Sequence, residues 1–137
     1  MSRDWVKDIF SMHSHYKVHP VIDEMDGEKL KKFLEFRINF LQEELDELKT
    51  AEGPEDVVDA LIDLCVVAIG TLDGFNVDSY KAWDEVLEAN MNKEVGIKEG
   101  RPNPLGLPDL MKPTGWQAPS HYGNYGHLEK VKLEDPS

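Results

Sequence analysis

Two stretches of helical periodicity, joined through a Gly-Pro pair, constrain this chain more than any other feature. Between Gly27 and Thr50 the residues Leu30, Phe33, Leu34, Ile38, Leu41, Leu45 and Leu48 recur every three or four positions, the spacing of one helix face. Asp26 stands where its carboxylate can cap the first turn. Gly53-Pro54 ends that period and opens the next, because the fixed φ of proline suits the first helical turn. From Pro54 to Asp73 the aliphatics Val57, Val58, Leu61, Ile62, Leu64, Val66, Val67, Ile69 and Leu72 lie nearly all round the helix. Such a helix buries most of its circumference, within a bundle or at a subunit interface.

Shorter segments flank this pair. A helix over Asp4 to His15 would put Trp5, Ile9 and Met12 on one face, and His19-Pro20 would break it, since the residue before proline avoids the helical region. Gly74 is the expected stop of the third helix. Asp78 is then the expected cap of a fourth, running to Asn92 and burying Tyr80, Trp83, Val86 and Leu87. Beyond Gly96 lie six of the eight prolines, with no sustained period and no β alternation. The expected class is all-α, four-helix-bundle-like. A helical domain spans 1–95, and an irregular tail over 96–137 packs through Trp116, Tyr122 and Tyr125 on the bundle or on a neighbouring subunit.

The 137 residues suffice for one core and carry 27 acidic against 15 basic side chains, a formal charge of -12. That balance argues against a nucleic-acid polymer as partner, whose phosphates are neutralised by Lys and Arg. Cys65 is the single cysteine, which excludes a disulfide framework and a Cys-based zinc site, and its aliphatic surroundings predict a buried, inert thiol. The charged start Met1-Ser2-Arg3-Asp4 is unlike a signal peptide. The longest apolar run, Leu64 to Gly70, is far below the ~20 residues of a membrane span. A cytoplasmic protein with no membrane partner is expected.

Nine acids fall between Glu43 and Asp63. On the second helix, Glu43, Glu44 and Glu47 share a face, because three or four residues bring a helix back to within about 60° of its starting direction. On the third, Asp56, Asp59 and Asp63 form a stripe inside a helix that is otherwise aliphatic. Two carboxylates ~6 Å apart repel by about 3 kcal/mol at an effective dielectric near 20. No lysine shares either stripe, so divalent cations are the natural compensation. An all-oxygen donor set selects hard ions, Mg²⁺ or Mn²⁺, which complete their shell with water and substrate phosphates. The metal ligands are expected among Glu44, Glu47, Asp59 and Asp63, with Glu43 and Asp56 next. His13 and His15, two apart on a helix, point away from each other and fit a structural or surface role.

The order of these motifs resembles the all-α nucleoside triphosphate pyrophosphohydrolases of the MazG-like group, which includes the dimeric dUTPases and phosphoribosyl-ATP pyrophosphohydrolase. Phe36-Arg37 ahead of Leu41-Gln42-Glu43-Glu44, the run Val58-Asp59-Ala60-Leu61-Ile62-Asp63-Leu64, Ala68-Ile69-Gly70-Thr71, and Glu88-Ala89-Asn90-Met91-Asn92-Lys93 carry the likeness. Lys112-Pro113-Thr114-Gly115-Trp116 is similar to a tail common in phage and bacterial members. The chain departs from the group's Glu-x-x-Asp pair, having Asp56-x-x-Asp59 or Ala60-x-x-Asp63 instead, and Gly100 to Leu110 resembles an insertion.

The resemblance implies Mg²⁺-dependent hydrolysis of a (d)NTP to (d)NMP and pyrophosphate through water attack at the α-phosphorus. Glu43 or Glu44 would take the water's proton. Lys93 and Arg101 would hold outer phosphates, and Asn90 the sugar or a phosphate. Trp116 would cover the base or anchor the tail. Arg37 would contact substrate or clamp the glutamates, and Lys93 at a helix end also fits simple dipole compensation. A homodimer or homotetramer follows from the apolar third helix. Two rival readings are a phosphoribosyl-ATP pyrophosphohydrolase and a non-enzymatic acidic helical module mimicking DNA.

Overall fold

The computed structural model describes residues 3–97, 100 and 105–133. The fold is all-α, with five α-helices, one 3₁₀ turn and one pair of short strands among these residues. It divides into two compact units, 1–79 with 124–137, and 80–123.

The first unit is built on α1 (Trp5–His15), α2 (Val18–Asp23), α3 (Gly27–Lys49) and α4 (Pro54–Gly74). Asp4 caps α1 by accepting the Lys7 amide at 3.0 Å, and Asp26 caps α3 by accepting the Lys29 amide at 2.9 Å. Both carboxylates satisfy first-turn N–H groups that have no partner within the helix. Thr50 closes α3, its hydroxyl donating to the Asp46 carbonyl at 3.0 Å.

The expected break at His19-Pro20 lies elsewhere. The chain turns at Lys17, whose φ of 58° is left-handed, and α2 begins at once. Pro20 is the third residue of α2, where its missing N–H would have had no helical acceptor. The end of α4 falls where expected. Gly74 is its last residue, and the left-handed residue is Asn76 at φ 58°. The Asn76 amide donates to the Asp73 carbonyl at 2.9 Å and the Val77 amide to the Leu72 carbonyl at 3.0 Å, a Schellman cap with asparagine in place of glycine. Gly74 is required for packing: a Cβ there would stand 3.0 Å from two atoms of the Phe33 ring and 3.2 Å from Ile22 Cδ1.

α3 and α4 form an antiparallel hairpin. Phe33 packs at Gly74, Arg37 reaches Thr71 and Val67, and Glu44 meets Asp63, so contacts descend one helix as they climb the other. The core occupies the α2 end of this hairpin. Ile22, Leu30, Phe75 and Val131 are buried there, with Phe33, Leu34, Val77 and Leu128 around them. Leu30 and Phe75, sealed from solvent, each contribute about 2–3 kcal/mol.

Val131 and Leu128 come from the C-terminal segment. The 3₁₀ turn Gly126–Lys130 returns to the first unit, where the His127 amide donates to the Phe75 carbonyl at 2.7 Å. Asn124 holds the backbone of Asp78 at both ends, accepting its N–H at 2.8 Å and donating to its C=O at 2.9 Å.

The second unit carries α5 (Ser79–Met91) beyond its first residue, β1 (Glu94–Gly96) and β2 (Asp109–Met111). The strands pair antiparallel with Val95 opposite Leu110. The sequence gives no sign of them, because three residues are too few to establish an alternation. The Trp116 indole N–H donates to the Ala89 carbonyl at 2.7 Å. The Lys112–Trp116 segment turns on Gly115, at φ +81°, with the Trp116 amide bonded to the Pro113 carbonyl at 3.0 Å. Tyr80, Trp83, Val86 and Leu87 of α5, expected inside, are substantially exposed, and Ala89 is the one buried apolar residue of the helix.

Candidate active site

The carboxylates of α3 and α4 converge at the end of the hairpin away from the core, about 21 Å along α3 from Leu30 to Glu44. Glu44, Glu47 and Asp63 each bring one oxygen to within 4.8 Å of the others. Helix geometry creates the first contact, since Glu44 and Glu47 lie three residues apart on α3. The antiparallel register of the hairpin creates the second.

Glu44 is the unusual member. It is 9 % exposed, and its Oε2 is the one buried side-chain oxygen or nitrogen without a hydrogen-bond partner among the described residues. A buried acceptor left unpaired is costly unless a ligand completes it. Desolvation holds the Glu44 carboxyl above the usual carboxylate range, and the negative charges of Glu47 and Asp63 act in the same direction. A hydrogen bond that the protonated Glu44 carboxyl donates to Glu47, and the charge of Asp59, add to the effect. A cation at the convergence point would oppose these effects by favouring the ionised carboxyl.

Asp56 and Asp59 are exposed and line an adjacent cavity of about 260 Å³ with Glu47, Thr50 and Ala60. Glu43, also exposed, is outside the converging triad. The three converging oxygens are thus those of Glu44, Glu47 and Asp63, with Asp59 and Asp56 beside them. An all-oxygen set of this kind could hold a hard divalent cation.

Arg37 lies at the α3–α4 seam. Its Nε donates to Thr71 Oγ1 and its Nη2 to the Val67 carbonyl, both at 2.9 Å, while the guanidinium lies 5.4 Å over Phe40. Burial lowers its pKa from the ordinary arginine value. Gly70 makes room for it, because a Cβ there would stand 2.8 Å from Nη2. The bonds thus run into α4 and not to the glutamates.

The remaining nucleotide-contact candidates lie in the second unit or outside the described residues. Asn90 is exposed on α5. Lys93 Nζ stands 5.5 Å from the Trp116 ring centre, and Lys112, which sequence reasoning passed over, stands 5.0 Å from it. A cavity of about 380 Å³ beside Trp116 is lined by Glu85, Glu88, Asn92, Thr114 and Gln117. Arg101 lies outside the described residues.

Two features escaped the sequence reading. His13 pairs with His19, not His15, through Asp73. No single-helix spacing signals it, since the three residues come from three helices. Cys65 is half-buried, not enclosed, and lines an apolar cavity with Trp5, Ile9 and Ile62.

Among the described residues, no helix is long and apolar enough to cross a membrane. No curated protein and no solved structure matches the chain. A family model does, over residues 19–90, a span that holds α3, α4 and every carboxylate of the candidate site; its description is phosphoribosyl-ATP pyrophosphohydrolase.

Proposed function

Because the chain belongs to the phosphoribosyl-ATP pyrophosphohydrolase family, we propose that it hydrolyses the α–β phosphoanhydride of a nucleoside triphosphate, releasing a nucleoside monophosphate and pyrophosphate. The family is of the all-α nucleoside triphosphate pyrophosphohydrolase type, and within it we favour a MazG-like enzyme acting on (d)NTPs in the cytoplasm. Phosphoribosyl-ATP is the second reading, favoured by the family's description. The two substrates share the scissile bond and the leaving group, and differ in what the base carries.

The observation that carries the proposal is the unpartnered Oε2 of buried Glu44, set among Glu47 and Asp63. Its donor chemistry fits Mg²⁺ or Mn²⁺, which Glu44, Glu47 and Asp63 would hold with Asp59 and Asp56 beside them. The bound cation supplies charge neutralisation for the triphosphate and acidifies a water. Glu43, exposed and outside the triad, remains a carboxylate with capacity to take a proton from that water, and Glu44 is its alternative in that role. Lys93, Arg101, Asn90 and Trp116 are the proposed contacts to phosphates, sugar and base. Arg37 acts on substrate only through the seam that it ties.

The proposed assembly is a homodimer or homotetramer. Its support is the α4 face of Val58, Leu61 and Ile62, at helical spacing and 62 %, 47 % and 45 % exposed in the single chain.

The test follows pyrophosphate release from each common NTP and dNTP and from phosphoribosyl-ATP, with and without Mg²⁺. Mg²⁺-dependent release from NTPs or dNTPs supports the first reading. Release from phosphoribosyl-ATP alone selects the second. No release from any of them overturns both in favour of an acidic binding module.

A further inference from the structure

A second group of metal-ligating side chains converges in the first unit, separate from the carboxylates and unused by the hydrolysis proposed above. His13 of α1, His19 of α2 and Asp73 of α4 place one ligand atom each within 4.8 Å of the others. His13 Nδ1 lies 2.6 Å and His19 Nε2 2.7 Å from a single oxygen, Asp73 Oδ2. The three side chains are 11 %, 24 % and 10 % exposed, so the group is mostly enclosed and His19 is its more open side.

Packing orients both rings as well as hydrogen bonding does. The Cε1–Nε2 edge of His13 lies against Gly70, where a Cβ would stand 3.4 and 3.5 Å from those atoms, leaving Nδ1 as the edge that faces Asp73. The His19 ring packs against Phe10 with centroids 4.8 Å apart. Imidazoles fixed in this way by their surroundings lose little freedom on ligation.

We infer that His13 Nδ1, His19 Nε2 and Asp73 Oδ2 form a binding site for a transition-metal dication of the Zn²⁺ or Co²⁺ class. Two imidazoles and one carboxylate are the donors that such ions prefer, whereas Mg²⁺ prefers the oxygen-only set around Glu44. Zn–N bonds of about 2.0–2.1 Å require the ligand atoms to separate to roughly 3.3 Å, an opening of about 0.6 Å from their present hydrogen-bonded spacing. On binding, each imidazole proton leaves the nitrogen that faces Asp73, for the opposite ring nitrogen or for solvent. The ion would fasten α1 and α2 to α4, and the folded state would gain stability with ion concentration.

The experiment titrates Zn²⁺, and separately Co²⁺, into the full chain without a histidine tag, in excess Mg²⁺. Heat of binding, the visible Co²⁺ absorption and the thermal midpoint are followed. The expected result is one equivalent of Zn²⁺ per chain, a Co²⁺ spectrum of a nitrogen-ligated site, and a midpoint that rises with Zn²⁺. His19→Gln should weaken binding by about a hundredfold or more and erase the Co²⁺ signal, as should His13→Gln. Asp63→Asn should leave both unchanged. Because His13 is buried and its variant can fail to fold, His19→Gln, checked by circular dichroism, decides the outcome. Absence of saturable binding overturns the inference, as does binding unchanged in His19→Gln or lost in Asp63→Asn. None of these results bears on Mg²⁺-dependent pyrophosphate release, so the two readings fail separately.

Discussion

Glu44 of α3 and Asp63 of α4 bring carboxylate oxygens within 4.8 Å of each other across the helix hairpin, and Glu44 does so from a buried position. A protein maintains two acids in that relationship only against repulsion and desolvation, so the pair is the first place to look for function.

Glu47→Gln and Asp63→Asn should each lower Mg²⁺-dependent pyrophosphate release by about a hundredfold or more, because each removes a charged ligand from the triad. Both residues are at least partly exposed, so the fold should survive. Circular dichroism beside a pyrophosphate assay checks the pair of outcomes. Full activity in either variant contradicts the assignment.

Glu44→Gln separates stability from function. The Glu44 carboxyl binds its proton more tightly in the folded chain than in the unfolded one, chiefly through desolvation and the charge of Glu47. The metal-free protein therefore loses stability as pH rises from the ordinary carboxyl range through the raised value of Glu44. Above that window, Glu44→Gln should melt higher than the parent in chelator, while below the ordinary range the two should converge. Mg²⁺ affinity should fall by at least about tenfold. Melting curves against pH in chelator, with Mg²⁺ titrations, test both halves.

Arg37→Leu should act on stability first. It removes the bonds to Thr71 and Val67 that tie α3 to α4, at a cost of about 2 kcal/mol. Denaturant unfolding should record that loss, with KM for substrate unchanged well below the melting temperature. A raised KM at unchanged stability would instead give Arg37 a direct contact with substrate.

Gly126→Ala should detach the C-terminal segment. Gly126 has φ +54°, and a Cβ there would run into the Phe75 carbonyl, the acceptor of the His127 amide. The expected cost is about 2–3 kcal/mol, with faster proteolysis around the 3₁₀ turn as the local sign.

Val58→Asp and Leu61→Asp probe the exposed face of α4. Light scattering should show a smaller particle than the parent at equal concentration, with helical content retained. A parent that is already monomeric would exclude the proposed assembly.

The helical pair and its acidic stripes were legible because they depend on local periodicity. Asp26 and Pro54 mark helix starts by chemistry that acts within one turn, and α3 begins directly after Asp26 and α4 at Pro54. Asp56, Asp59 and Asp63 likewise mark themselves as unusual by their aliphatic neighbours. Pro20 misled, because proline breaks a helix interior and fits a first turn, and only the left-handed Lys17 decides between the two. Gly74 does mark the end of α4, but it makes room for Phe33 and Asn76 makes the cap.

By itself the sequence determined an all-α chain with a carboxylate stripe on each of two helices, since 3.6-residue periodicity and capping are properties of a few consecutive residues. Tertiary structure alone decided which acids meet. The hairpin register selects Glu44, Glu47 and Asp63, and leaves Asp59 and Asp56 beside them. It also decided that His13 finds His19 through Asp73, and that Val131 completes a core begun by Ile22 and Leu30. Those contacts join residues whose separation along the chain carries no period, so their meeting follows only from how the helices pack.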